Sequence, residues 1–218
     1  MNSTTSNIII HSAQRLENMS LEEASREMSC LPQHAIGCVN WPHVHSYCPQ
    51  AEFSIAHSCN YLFISFHVVG EDLRAVNSAN LSPVAQDSCV EFFMQVPGSP
   101  EYWNFEFNCI GTVNASHRIE RPNAIRLNDE QIASILRYST CGNTTFEEHK
   151  GIHEWNLIVA IPLTLVGIDF NNLPQHIMAN VYKCGDATSH PHYVSLFPIN
   201  TERPNFHQPQ YFGPMILE

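Results

Sequence analysis

Residues 102–109, Tyr102-Trp103-Asn104-Phe105-Glu106-Phe107-Asn108-Cys109, alternate polar and apolar with a period of two. Side chains on a strand point to opposite faces in turn, so this pattern predicts a β-strand with two chemically distinct faces. Trp103, Phe105, Phe107 and Cys109 face a core. Tyr102, Asn104, Glu106 and Asn108 face the other way. An ordinary solvated strand face is rich in Lys and Thr. This one carries a ring, two amides and a carboxylate, planar groups that pair with hydroxyls.

The same signal recurs along the chain. Residues 52–57, 61–69, 88–96, 154–161, 176–183, 193–197 and 211–217 read as strands. Pro97-Gly98-Ser99-Pro100 predicts a turn that makes 88–96 and 102–109 a hairpin. Residues 111–116 are expected to continue the octet's strand after a bend, and Asp129 to cap a short helix within 127–138. The β-α-β rhythm of parallel sheets is absent. The expected fold is therefore all-β, an antiparallel two-sheet sandwich of jelly-roll type. Residues 1–40 form a short helical and irregular extension, with a capping box at Ser20 and Glu23, and residues 41–218 form the sandwich.

Composition narrows the partners. The net charge is −11 with ten Lys plus Arg, which argues against nucleic acid and anionic membrane surfaces. Charged residues make up 14%, below the usual roughly 25%, so a neutral ligand suits the balance. No apolar run has the length of a membrane-spanning helix. The polar start at Met1–Asn7 has neither the basic flank nor the apolar core of a signal peptide. As it stands the chain reads as cytoplasmic, or as periplasmic or secreted if it is a trimmed mature form. The eight cysteines contain no C-x-x-C spacing, and the opposed parity of Cys89 and Cys109 predicts free thiols.

Strand parity gathers a candidate ligand face. Glu91 lies opposite the apolar row Val90, Phe92 and Met94. Asn180 and Tyr182 alternate with Ala179 and Val181. With Tyr102, Asn104, Glu106 and Asn108 they form a patch suited to sugar hydroxyls and stacking, and Arg74 and Asp186 are loop candidates. Glu91 and Glu106 would also suit an acid/base pair of a glycoside hydrolase. The histidine pairs His190/His192 and His43/His45 have spacing that could hold a metal, though H-E-x-x-H is absent. Oxygen-held calcium in a loop is the better-supported metal. Cys184, beside Lys183, is a candidate reactive thiol. Nucleophile-elbow, P-loop and dinucleotide motifs are absent.

Several blocks in one order carry a family resemblance: Asp87-Ser88-Cys89-Val90-Glu91-Phe92-Phe93, then Tyr102 to Thr112, Asn180 to Asp186, Phe206-His207-Gln208-Pro209 and Phe212-Gly213. From about Trp41 to the C-terminus the chain resembles the carbohydrate-binding family 9-like domains of Bacteroidetes, often labelled xylanase-associated. The resemblance implies a β-sandwich that binds plant-polysaccharide or oligosaccharide ends without cleaving them, accessory to glycan degradation. It requires no cofactor and implies a structural calcium in some modules. It matches Glu91 to a sugar-binding Glu and puts Ala85 where related modules place a stacking Trp. A glycoside hydrolase acting on xylan-like substrates and a degenerate sandwich that binds proteins are the two rival readings.

Overall fold

The structure, a computed structural model, describes residues 7–218. The polar start at residues 1–6 lies outside the described residues, and with it most of the segment read for a signal peptide. Strand β1 is Ile8–Ser12, followed by the helix α1 at Leu21–Met28. Ser20 caps that helix by accepting from Glu23 N, and the Glu23 carboxylate accepts from Ser20 N in return. The short strands β2 (His34–Ala35) and β3 (Cys38–Val39) lead into β4 (Gln50–His57) and the long β5 (Tyr61–Ala75). Strands β6 (Cys89–Gln95), β7 (Tyr102–Asn108), β8 (Val113–Arg118) and β9 (Ile125–Arg126) follow. Helix α2 (Asp129–Ser134) precedes β10 (Leu136–Ser139) and β11 (Phe146–Pro162). Strands β12 (His176–Cys184), β13 (Tyr193–Ser195) and β14 (Gly213–Leu217) close the chain.

The fold is mostly β, as expected, but it is not two separate antiparallel sheets. The strands form one path, β10-β11-β5-β4-β1-β14-β12-β6-β7-β8-β9, with β2, β3 and β13 paired at its sides. The path curls into a half-barrel of mixed strands. Its two halves meet over one core, where Phe66, Leu157 and Val159 of one pack with Phe92, Phe105 and Val181 of the other. The link is β1, which runs parallel to both neighbours: Ile8–Ile10 pair with β14, and His11 and Ser12 pair with β4. Parallel partners lie far apart in sequence, and a three-isoleucine run carries no mark of which strands it joins. The N-terminal segment thus supplies part of the sheet itself.

Two local readings are also corrected. Val113–Arg118 does not continue the octet's strand but turns back to pair with it antiparallel. Gly111, at φ +80°, permits that reversal, and its N–H bonds to Asn108 O at 2.9 Å. The second helix is capped by Asn128, one residue before the expected Asp129, because the Asn128 side chain accepts from Gln131 N. The 89–108 hairpin forms as predicted, with Gly98 at φ +85° in its turn.

Both faces of each half are covered. Leu16, Ala24 and Met28 pack on Phe63 and Ile158, sealing the outside of the β4–β5–β11 half. On the β6–β7–β12 half, Trp41, Val84, Ile199, Phe206 and Phe212 pack on Phe93, Tyr102 and Tyr182. No helix of the described residues is long and apolar enough to cross a membrane.

All eight cysteines are unpaired: Cys30, Cys48 and Cys59 are exposed, Cys38 and Cys141 half-buried, and Cys89, Cys109 and Cys184 buried. Thiol titration of the unfolded, unreduced protein should therefore count close to eight free thiols. The folded protein should react fastest at the three exposed ones. Finding two or more bridges would overturn this and point to an oxidising compartment.

Candidate functional site

As the alternation predicts, Glu91, Asn104, Glu106 and Asn108 share one face. Glu91 lies directly opposite Glu106, Phe93 opposite Asn104 and Cys89 opposite Asn108. On the other side of β6, Tyr182 lies opposite Glu91. The expectation of an open face fails, because loops cover most of it. Asn104, Asn108, Asn180 and Tyr182 are fully buried, and Tyr102 is 1% exposed. What stays open is a cleft of about 240 Å³. Its floor is Glu91, Glu106 and Cys184, and its walls come from Ala85, Asp186, Tyr193, Arg121 and the Pro204–His207 segment.

Three of the nine residues expected at the site, Glu91, Glu106 and Asp186, line this cleft. Asn104 stands behind it: its Nδ2 donates to Glu106 Oε1 at 2.9 Å, while Ser116 Oγ donates to its Oδ1 at 2.7 Å. The other five hold the fold. Asn108 Nδ2 donates to Asp87 and its Oδ1 accepts from Thr112 N. Asn180 accepts from Phe197 N and donates to the Phe197 and Tyr211 carbonyls. Tyr182 donates to Phe206 O and stacks on the Phe206 ring, centroids 4.2 Å apart. Tyr102 Oη lies 3.1 Å from His207 Nδ1. Arg74 donates to Gln86 O and pairs with Asp87. Amides and phenols on a strand face look the same in sequence whether they meet a ligand or a covering loop.

Residues outside the expected ligand set complete the cleft. The resemblance block Phe206-His207 contained two of them and the thiol reading contained Cys184. Arg121, Tyr193 and Asn205 come from loops and strand ends whose position no periodicity reveals.

Burial dominates the electrostatics. It holds the Glu91 carboxyl well above the usual carboxylate range, helped by the neighbouring Cys184 thiol and Glu106. Burial likewise raises Glu106, although Asn114, Arg118 and Asn104 oppose it. Asp186 is raised by burial against the hydrogen bond from Tyr193. His207 is pushed down to about 3 by burial, so its ring is neutral at pH 7. The cleft thus offers three carboxyl groups, an amide, a guanidinium and flat rings. That set suits a neutral, hydroxyl-rich ligand.

The rings of His190 and His192 turn to different partners. His190 bonds to Asp72, whereas His192 is buried with its Nε2 at 2.8 Å from Lys183 Nζ. Glu71, Asp72 and His190 gather outside the cleft, but Asp72 is already engaged by His190 and faces Lys150 Nζ at 3.8 Å. Calcium takes six to eight oxygens, so this donor set does not fit it.

The model of Carbohydrate-binding family 9 matches residues 22–217. The chain belongs to that family. No curated protein matches the chain. Among solved structures, a candidate carbohydrate-binding protein from Bacteroides uniformis ATCC 8492 is 28% identical with a TM-score of 0.89. The match covers 97% of this chain and 99% of that one. A family 9 carbohydrate-binding module from Caldicellulosiruptor kristjanssonii, in complex with glucose, is 13% identical with a TM-score of 0.56, covering 88% of this chain and 86% of that one. A structure of such a module from the same organism with cellotriose is 11% identical with a TM-score of 0.59, covering 98% and 94%. At these identities the two complexes speak for the fold alone.

Proposed function

We propose that this family 9 domain binds the terminal sugar of a plant-type oligosaccharide or polysaccharide without cleaving it, accessory to glycan breakdown. The observation that carries the reading is the cleft, where the Glu matched to a sugar ligand by the resemblance sits beside Glu106, Asp186 and the Tyr193 and Phe206 rings. Its roughly 240 Å³ lies below the roughly 300–1,000 Å³ of drug-sized sites, which favours a chain end over a long glycan segment. Solved relatives with glucose and cellotriose support the same ligand class. A glycan array followed by calorimetry on its hits tests the reading, with a hydrolysis assay run beside it. Binding without release of reducing sugar is the expected result. Hydrolysis of a hit, lost on Glu106→Gln, would favour the glycosidase, and an array with no hits would overturn sugar binding.

Ala85 lines the cleft from the 3-10 turn Val84–Gln86, where its carbonyl accepts from Asp186 N at 2.8 Å. A ring at this position would add a stacking wall. Ala85→Trp should strengthen sugar binding by about fivefold, or ~1 kcal/mol, in calorimetry on an array hit. Weaker binding by the variant would mean that Tyr193 and Phe206 already fill that space.

A further inference from the structure

The cleft floor and its strands contain two thiols, Cys89 and Cys184, that sugar binding does not use, beside the Glu91 that it does. Cys89 and Cys184 stand directly opposite one another on β6 and β12, and Glu91 follows Cys89 by two residues on the same face. Strand register therefore brings two thiols and a carboxylate to one point. Their ligand atoms all lie within 4.8 Å of one another, and Cys184 Sγ is 3.1 Å from Glu91 Oε1. All three residues are buried, yet Glu91 and Cys184 reach the cleft.

We infer that Cys89, Cys184 and Glu91 form a binding site for a thiophilic divalent cation, zinc above all, with its fourth position open to the cleft. Tetrahedral zinc holds thiolates at about 2.3 Å and carboxylate oxygens at about 2.0–2.2 Å, which sets neighbouring ligands roughly 3.5–3.8 Å apart. The observed cluster needs only small side-chain adjustments to reach that spacing. Three protein ligands and one open position is the arrangement of zinc sites that admit a water or a ligand oxygen. Binding forms two zinc–thiolate bonds and one zinc–carboxylate bond, and the two thiol protons and the Glu91 carboxyl proton leave to solvent. A divalent ion with three anionic ligands has net charge −1. Lys183, the next residue to Cys184 on the strand, is buried and donates to Cys184 O at 2.7 Å. Hard cations such as calcium and magnesium are poorly served by sulfur, so the site discriminates against them.

The inference does not rest on saccharide binding, and its test uses no sugar. The full chain, kept reduced, is titrated with cobalt(II) as a spectroscopic stand-in, and zinc affinity is then measured by competition with a chromophoric chelator. The expected result is a thiolate-to-cobalt charge-transfer band saturating at one equivalent and displaced by zinc. Loss of a supporting partner alone costs metal sites about 10–100-fold. Cys184→Ala should therefore weaken zinc binding by more than about 100-fold and erase most of the band. Glu91→Gln should keep the band but weaken affinity, and Cys30→Ser, at an exposed thiol far along the chain, should change nothing. Circular dichroism on each variant separates a lost ligand from a lost fold. No thiolate band in the folded wild type, or a band that survives Cys184→Ala, would overturn the inference.

Discussion

Asp87→Ala should destabilise the protein by about 3–5 kcal/mol, read as a lowered midpoint of urea unfolding at unchanged slope. Asp87 is fully buried. One carboxylate oxygen accepts from Val76 N at 3.1 Å. The other accepts from Asn77 N at 3.0 Å and from Asn108 Nδ2 at 2.9 Å. Arg74 Nε lies 3.5 Å away and carries the opposing charge. Truncation would leave two backbone N–H groups, an amide and a guanidinium without their acceptor. Each orphaned buried donor costs about 1–3 kcal/mol, partly relieved by water entering the gap. Asp87→Asn keeps the volume but points an amide N–H at existing donors, so it should recover only part of the loss. A change below about 1 kcal/mol in the alanine variant would show that this clasp is not what ties residues 76–87 to β7. The clasp also fixes the turn that presents Ala85 to the cleft, so the same substitution should loosen the site wall.

Much of the strand content was legible because burial on one side of a strand writes itself as alternation. Val90, Phe92 and Met94, and Trp155, Leu157, Val159 and Ile161, each point into the common core as their spacing predicts. The hairpin between β6 and β7 was legible because a Pro-Gly turn separates two alternating runs by a short loop. The curl of the sheet was not. It depends on β1 pairing in parallel with β4 and β14, and no local pattern specifies a partner so distant in sequence.

The candidate site divides along the same line. The common face of Glu91 and Glu106 follows from parity, and the structure places them opposite one another. Parity could not tell which residues of that face remain reachable. Phe206 and Ile199, from the stretch between β13 and β14, and Trp41, from the segment before β4, bury Tyr182 and its neighbours. The polar side chains beneath then turn to the loop backbones, as Asn180 does to Phe197 and Tyr211. A half-polar strand face is therefore a weaker sign of a binding surface when the chain contains long connections able to fold over it.

Glu91 is the residue on which sugar binding should depend most. Glu91→Ala should weaken the affinity for an array hit by about 30- to 150-fold, equivalent to ~2–3 kcal/mol in calorimetry. The side chain is 3% exposed and its open edge faces the cleft. A sugar hydroxyl that binds there gives up water and must find a partner of equal quality. Removing the carboxyl leaves that hydroxyl with no replacement and enlarges the floor of the cleft. Burial, the Cys184 thiol and Glu106 hold the carboxyl well above its ordinary range, which favours the protonated form over the carboxylate. A neutral carboxyl both donates and accepts, and a glutamine amide does the same at nearly the same volume. Glu91→Gln should accordingly stay within about tenfold of the wild type, far above the alanine variant. If Gln proved as damaging as Ala, the ligand would be gripping a charged carboxylate, and the neutral-carboxyl account of this cleft would be wrong. If neither variant altered binding to a confirmed glycan, the sugar would sit elsewhere on the domain.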